Sequence, residues 1–155
     1  MRKRVFGVVI GIVMALTISV VANIDAGTAY AASPSLIESA KAELLPVATI
    51  QTVPTKKVVN VKLTAMSKVA KTTKMQGTAT LQVRYIDKSG KKSGWKNLKS
   101  VTATTTNKTL SISYKHTISA KTKAEYRTKG VVKATKGNQK QTVTVYSKSL
   151  ICAGK

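Results

Sequence analysis

A chain of 155 residues that holds one histidine, one cysteine and five carboxylates has few ways to do covalent chemistry. Hydrolysis by paired carboxylates needs two acids facing one bond. Once Asp25 is set aside with the N-terminal segment, the acids are Glu38, Glu43, Asp87 and Glu125. Two of these fall in a leader, one in a turn and one alone in an alternating strand, so no pair is indicated. His116 lies on the apolar parity of its strand, where a hydrogen-bonded core or rim histidine is the expected role rather than a general base. Cys152 reads as an unreactive residue at a frayed C-terminal end, and no motif supports a dyad with His116. One histidine and one cysteine far apart cannot build a tetrahedral metal site. Gly90, Gly94, Gly130 and Gly137 are isolated turn or strand glycines, not a phosphate-cradling loop. The sequence therefore calls for no enzyme, no metal and no cofactor.

Binding chemistry is another matter, because 27 basic residues face five acidic ones and the formal net charge is +22. Such a surface attracts polyanions. Among the 24 cations that follow the N-terminal segment only Arg84 and Arg127 are arginine. Shaped recognition of phosphates or base edges favours the planar guanidinium, so this lysine excess points to electrostatic adhesion without a moulded pocket. The candidate contact residues are Lys62, Lys115, Lys123, Arg127, Lys129 and Lys133 on strands, with Lys88, Lys91, Lys92, Lys136 and Lys140 at loops. Lysine on exposed strands also guards sheet edges against pairing with other chains. Trp95 is expected as the core plug of a sandwich. Tyr85, Tyr114 and Tyr126 share the inward parity and read as core or corner residues, which leaves Tyr146 as the exposed aromatic candidate.

The elements that must position these side chains begin with MRKR and the uncharged apolar run Val5 to Val21, followed by Ala29-Tyr30-Ala31. A cationic start, an apolar stretch and an Ala-x-Ala site define a secretory signal peptide over residues 1–31, with an uncleaved anchor as the rival reading. No cysteine follows the run to carry a lipid. Its removal takes away Arg2, Lys3, Arg4 and Asp25 and leaves a net charge of +20. Residues 32–57 form a leader in which Ser35 and Glu38 are spaced as a capping box. Leu36, Ala40 and Leu44 fall on one face, so the segment is expected as a short helix over 35–45 or as an extended tether.

From residue 58 to 155 the hydrophobic period is two. Val59, Val61, Leu63 and Ala65 alternate with Asn60, Lys62 and Thr64; Ala79, Leu81, Val83 and Tyr85 alternate with Thr80, Gln82 and Arg84. Trp95, Leu98 and Val101 are expected inward on the next segment, and Leu110, Ile112, Tyr114, His116 and Ile118 share a face. Asp87-Lys88-Ser89-Gly90 is a turn. Ala124, Tyr126, Val132 and Ala134 oppose Lys123, Arg127, Lys129 and Lys133, and Gly137-Asn138 reverses the chain into Val143 and Val145. About seven such strands imply an all-β fold, a single antiparallel β-sandwich of immunoglobulin-like or fibronectin-like topology, with a small barrel as the alternative.

The succession SGWKNLKSV, SISYKHTISAKTKAEYRTKGVVKA and TVTVYS, over roughly residues 58 to 149, resembles a family of small exported β-sandwich proteins of Gram-positive bacteria and their prophages. The resemblance implies export and fold, and no activity or ligand. The partner expected from charge and compartment is an anionic cell-wall polymer such as teichoic acid, met first after export. An anionic membrane attacked by a toxin-like effector, or extracellular nucleic acid, are the alternatives. The expected product of export begins at Ala32. N-terminal sequencing of the protein recovered from culture medium and wall checks this, and an intact Met1 in the membrane fraction would replace secretion with anchoring.

Overall fold

The computed structural model describes residues 19–21, 28–30, 36–47, 56–68, 73–119 and 121–152. Most of the apolar run, Ala31 of the cleavage motif and Ser33-Pro34-Ser35 of the proposed helix start lie outside the described residues.

Among the described residues there are ten strands, the longer of them following the alternation of apolar and polar side chains: β1 (Ser19–Val21), β2 (Thr28–Tyr30), β3 (Ile37–Pro46), β4 (Lys56–Ser67), β5 (Lys74–Tyr85), β6 (Lys96–Thr105), β7 (Thr109–Ser119), β8 (Ala124–Lys136), β9 (Gln139–Tyr146) and β10 (Leu150–Cys152). They form two sheets. One runs β1-β9-β8-β5-β6 with β10 also paired to β8; the other runs β2-β3-β4-β7. The short β1 and β2 fall inside the segment assigned to the signal peptide, and both are outermost strands. Of the seven long strands β3–β9, the first, second and fifth share one sheet and the fourth, third, sixth and seventh the other, the fibronectin-like order of an open sandwich. β6 and β7, although consecutive in sequence, end different sheets, so no barrel closes there.

The inward parity fills the space between the sheets. Val59, Val61, Leu63, Leu110, Ile112 and Ile118 from one sheet meet Met75, Leu81, Val83, Val132, Val143 and Val145 from the other, all buried. Two glycines mark close approach of the sheets. A Cβ on Gly130 would lie 2.5 Å from Leu63 Cδ1, and one on Gly77 would lie 2.6 Å from Leu110 Cδ2. The β8–β9 hairpin turns at Gly137-Asn138 as expected, Gly137 having φ +56°. Asp87 closes its turn by accepting from the amides of Ser89 and Lys91, both at 2.9 Å.

Three expectations are corrected. The segment read as a helix over 35–45 is β3, hydrogen-bonded to β4 from Ile37↔Ser67 to Pro46↔Val59. A spacing of four, as in Leu36, Ala40 and Leu44, is also a multiple of two and therefore fits a strand, and Ala42 supplies the missing inward position. A bulge between Ile37 and Ser39 lets Ile37 and Ala40 both face the core. The sandwich thus includes residues that had been assigned to the leader.

Second, Trp95 is not the core plug: it is only half-buried and precedes β6, while Leu98 is 44% exposed. β6 is an edge strand whose pairing with β5 shifts register between Leu81 and Gln82. At that irregularity Tyr114 reaches over from the opposite sheet. Its hydroxyl accepts from the Leu81 amide at 3.2 Å and donates to the Lys99 carbonyl at 3.0 Å. Third, Tyr85, at the end of β5, is 44% exposed, not inward.

Tyr126, third residue of β8, is buried and donates to the carbonyl of Ser119 at 3.0 Å across the β7–β8 crossover. This is the tyrosine corner of a sandwich. Tyr126→Phe strands that carbonyl and is expected to cost about 1 kcal/mol of stability, whereas Tyr85→Phe, altering an exposed hydroxyl, is expected to be neutral. Urea midpoints of the two variants check the contrast.

Candidate functional site

Strand parity sends the polar side chains to two outer faces on opposite sides of the molecule. On the β3-β4-β7 face, Lys62 stands between Glu43 of β3 and Ser113 of β7. The Glu43 carboxylate accepts from Lys41 at 2.8 Å and lies 3.7 Å from Lys62. The Lys41 hydrogen bond, against the opposing effect of burial, holds the Glu43 carboxyl below its ordinary value. Lys115 is exposed beside Asn60. Two of the predicted contact residues thus occupy this face, one of them already paired with acid.

The β9-β8-β5-β6 face carries Arg127, Lys129, Lys133 and Lys140. Its register can be read row by row: Lys74–Thr135–Lys140, Gln76–Lys133–Thr142, Thr78–Val131–Thr144 and Thr80–Lys129–Tyr146. β6 extends these rows with Ser100, Thr102 and Thr104. Thr78 and Thr102 share a hydrogen bond of 2.9 Å, and Thr80 and Ser100 one of 2.8 Å. Lys136 sits at the hairpin end opposite Gln139, and Lys123 is exposed in the β7–β8 crossover. Lys74 belongs to the same surface and was absent from the sequence candidates. Carrying the alternation of Gln82, Thr80 and Thr78 back through Gln76 would have found it.

One end of this face is built differently. The Arg84 guanidinium lies 4.5 Å from the centre of the Trp95 ring, Arg127 lies 4.0 Å from the same ring, and Arg127 lies 4.2 Å from the ring of Tyr146. Cation–π attraction holds the four side chains in one stack. Arg127 Nε donates to Gln82 Oε1 at 2.9 Å, and Gln82 Nε2 donates to Asn97 at 2.8 Å. Burial lowers the Arg127 guanidinium from its ordinary value. Arg84 donates from Nε at 2.8 Å and Nη2 at 2.7 Å to one oxygen of Glu125, which also lies 3.0 Å from Lys92 Nζ. Tyr146 is therefore not a free aromatic: its outward parity is as expected, but its ring is half-buried against Arg127. Arg127 is held between two rings and a glutamine rather than standing free for a ligand. The stack joins residues from β5, β8, β9 and the loop before β6, and a sequence pattern read strand by strand does not bring these together.

The residues considered for covalent chemistry are kept apart. His116 is half-buried on the inward parity of β7, opposite Val59 in one sheet. Cys152 is on β10 in the other, paired with Ala124. It is fully buried, not frayed, and burial raises its thiol, the reverse of what a thiolate nucleophile needs. Among the described residues no group of three or more His, Cys, Asp or Glu side chains is placed to hold a metal.

No protein-family model matches the chain, and no curated protein matches it. Among solved structures, a structural-genomics target determined by X-ray crystallography is similar, at 11% sequence identity and a TM-score of 0.43, over 79% of this chain and 90% of that one.

Burial alone would raise the buried Glu125 carboxyl, but bonds from Lys92, Ser149 and Arg84 outweigh it and hold the group below its ordinary value of 4.5. A carboxyl depressed in the folded state adds stability that is present above the unfolded value and lost as pH falls through the folded one. Glu125→Gln is therefore expected to destabilise the protein at pH 7 by about 1–3 kcal/mol. The gap to the parent should narrow as pH falls below the ordinary value of 4.5. Thermal melts of both proteins from pH 7 to pH 2.5 check the sign.

Proposed function

We propose that this chain is a secreted, non-enzymatic cationic protein that associates with anionic polymers of the Gram-positive cell envelope, teichoic acid first among them. The observation that carries the reading is how the acids are used. Glu43 is bound by Lys41 and Lys62, Glu125 by Arg84 and Lys92, Asp87 by its own turn, and Glu38 lies 4.0 Å from Lys108. Lys115, Lys123, Lys129, Lys133, Lys136 and Lys140 have no carboxylate within ion-pair distance among the described residues, and their charge is left for an external partner. Neutralising polymer charges with these side chains releases counterions and drives adhesion without a pocket.

The alternatives have less to support them. An effector acting on membranes would need an amphipathic helix or a lipid-facing hairpin, and the segment read as a short helix over 35–45 is β3, committed to the core. A platform for nucleic-acid bases needs several open rings, whereas Trp95 and Tyr146 are stacked on arginines.

Fractionation of a producing culture into wall, membrane and medium tests the proposal. The protein is expected in the wall fraction at low salt and in the medium after a wash of about 0.5 M salt, because several phosphate contacts lose orders of magnitude in affinity over a few-fold rise in salt. Recovery in the medium at every salt concentration, or in the membrane at high salt, would overturn it.

A further inference from the structure

We propose that the polymer is taken by one face only, the outer face of β9-β8-β5-β6, and that the ligand is a linear phosphodiester chain lying along β8. The proposal rests on the envelope-polymer reading above and narrows it to a surface and a ligand chemistry.

The cations of this face are ordered by the sheet. Lys74 and Lys140 flank Thr135 on either side, and Lys133 lies two residues further along β8, between Thr142 and Gln76. Lys129 follows after one uncharged row, and the track ends there, because Arg127 in the next row is held by Trp95, Tyr146 and Gln82. Neighbouring strands are about 4.8 Å apart, and positions two residues apart lie about 6.8 Å along a strand. The lysines therefore sit on a lattice whose step along β8 is about 7 Å. A phosphodiester polymer with six backbone bonds per phosphate, as in a glycerol-phosphate chain, spans per repeat about what two extended residues span, ~7 Å. Successive phosphates can then meet successive rows, with threonine and serine hydroxyls between the lysines to bond phosphate oxygens or polyol hydroxyls.

The opposite face lacks this order. Glu43 sits between Lys41 and Lys62 and binds both, so the cation next to Lys115 in register, Lys62, is already held by acid. On β5, β6, β8 and β9 the sole acid is Glu125, at the far end and already bound by Arg84 and Lys92. Nucleic acid has a similar phosphate spacing but adds bases, and the rings beside the track are covered by guanidinium groups.

Two variants of equal charge separate this proposal from diffuse adhesion. The first carries Lys74→Gln, Lys133→Gln and Lys140→Gln; the second carries Lys56→Gln, Lys62→Gln and Lys115→Gln on the other face. Each is titrated with purified poly(glycerol phosphate) and with single-stranded DNA of equal phosphate count at several salt concentrations, after circular dichroism shows both folded. Lys→Arg at the first three positions controls for side-chain loss. The expected result is a fall of about two units in the log–log salt slope for the first variant alone, at about 0.7 per contact for a single-stranded polyanion. The arginine variant should keep the parent slope, and the polyol polymer should bind more tightly than DNA. Equal losses in both variants would overturn the face assignment and leave envelope adhesion standing. Equal or tighter DNA binding would overturn the ligand assignment. Failure of the parent protein to bind the polymer at all would remove both this proposal and the reading beneath it.

Discussion

The disposition of the charged side chains on β5 and β8 follows from how closely the two sheets approach. Leu63 and Leu110 occupy space that a Cβ on Gly130 or Gly77 would need, and these glycines sit on β8 and β5, the central strands of their sheet. A residue slip in either strand would put a side chain in that space and turn the opposite parity toward the core. With the inward set fixed as Met75, Ala79, Leu81 and Val83 on β5 and Tyr126, Val132 and Ala134 on β8, the outward set is fixed as well. Lys74, Gln76, Thr78 and Thr80 must then lie beside Lys133, Val131 and Lys129. The basic face is a consequence of core packing, and its spacing is that of the pleat.

Charge distribution adds a second constraint. The few carboxylates are not spread as a neutralising background but are drawn into local pairs, Glu43 on one face and Glu125 at one end of the other. Glu125 is buried under two cations, and an unpaired charge at that depth would be costly. The mid-section of the β9-β8-β5-β6 face therefore keeps its lysines free of acid, although surface solubility alone would be served equally well by intermixed glutamates.

Period-two alternation was enough to locate β4, β5, β7, β8 and β9 and their inward residues except Tyr85 at the end of β5, and the Gly137-Asn138 turn followed from residue type. It failed where alternation is degenerate or broken. Leu36, Ala40 and Leu44 satisfy a period of four and of two alike, and only pairing with β4 decides between them. Trp95 and Leu98 were misplaced because the register shift opposite Leu81 and Gln82 reverses the alternation, so that Asn97 pairs with outward Gln82 and Trp95 meets Arg84 and Arg127 on the outer face. The lysines of the candidate face were readable singly, but their division between two opposite faces was not, since strand order in the sheets is set by long-range packing. The stack of Arg84, Trp95, Arg127 and Tyr146 was hidden for the same reason.

That stack bears on why the proposed contact chemistry is lysine. Arg84 and Arg127 are the two arginines after the N-terminal segment, and both guanidinium planes are laid against aromatic rings, with Arg84 also forked onto Glu125 and Arg127 bonded to Gln82. A planar group with fixed donors suits such a brace, and a lysine in either place would lose both the stacking and the fork. The remaining cations are compact ammonium groups on flexible stems, able to follow a mobile polymer without imposing one geometry on it. An arginine–aromatic brace at one end and flexible-stemmed lysines over the rest would give the proposed contact face a fixed end and an adaptable charge, which holding a repeating polyanion by many weak contacts requires.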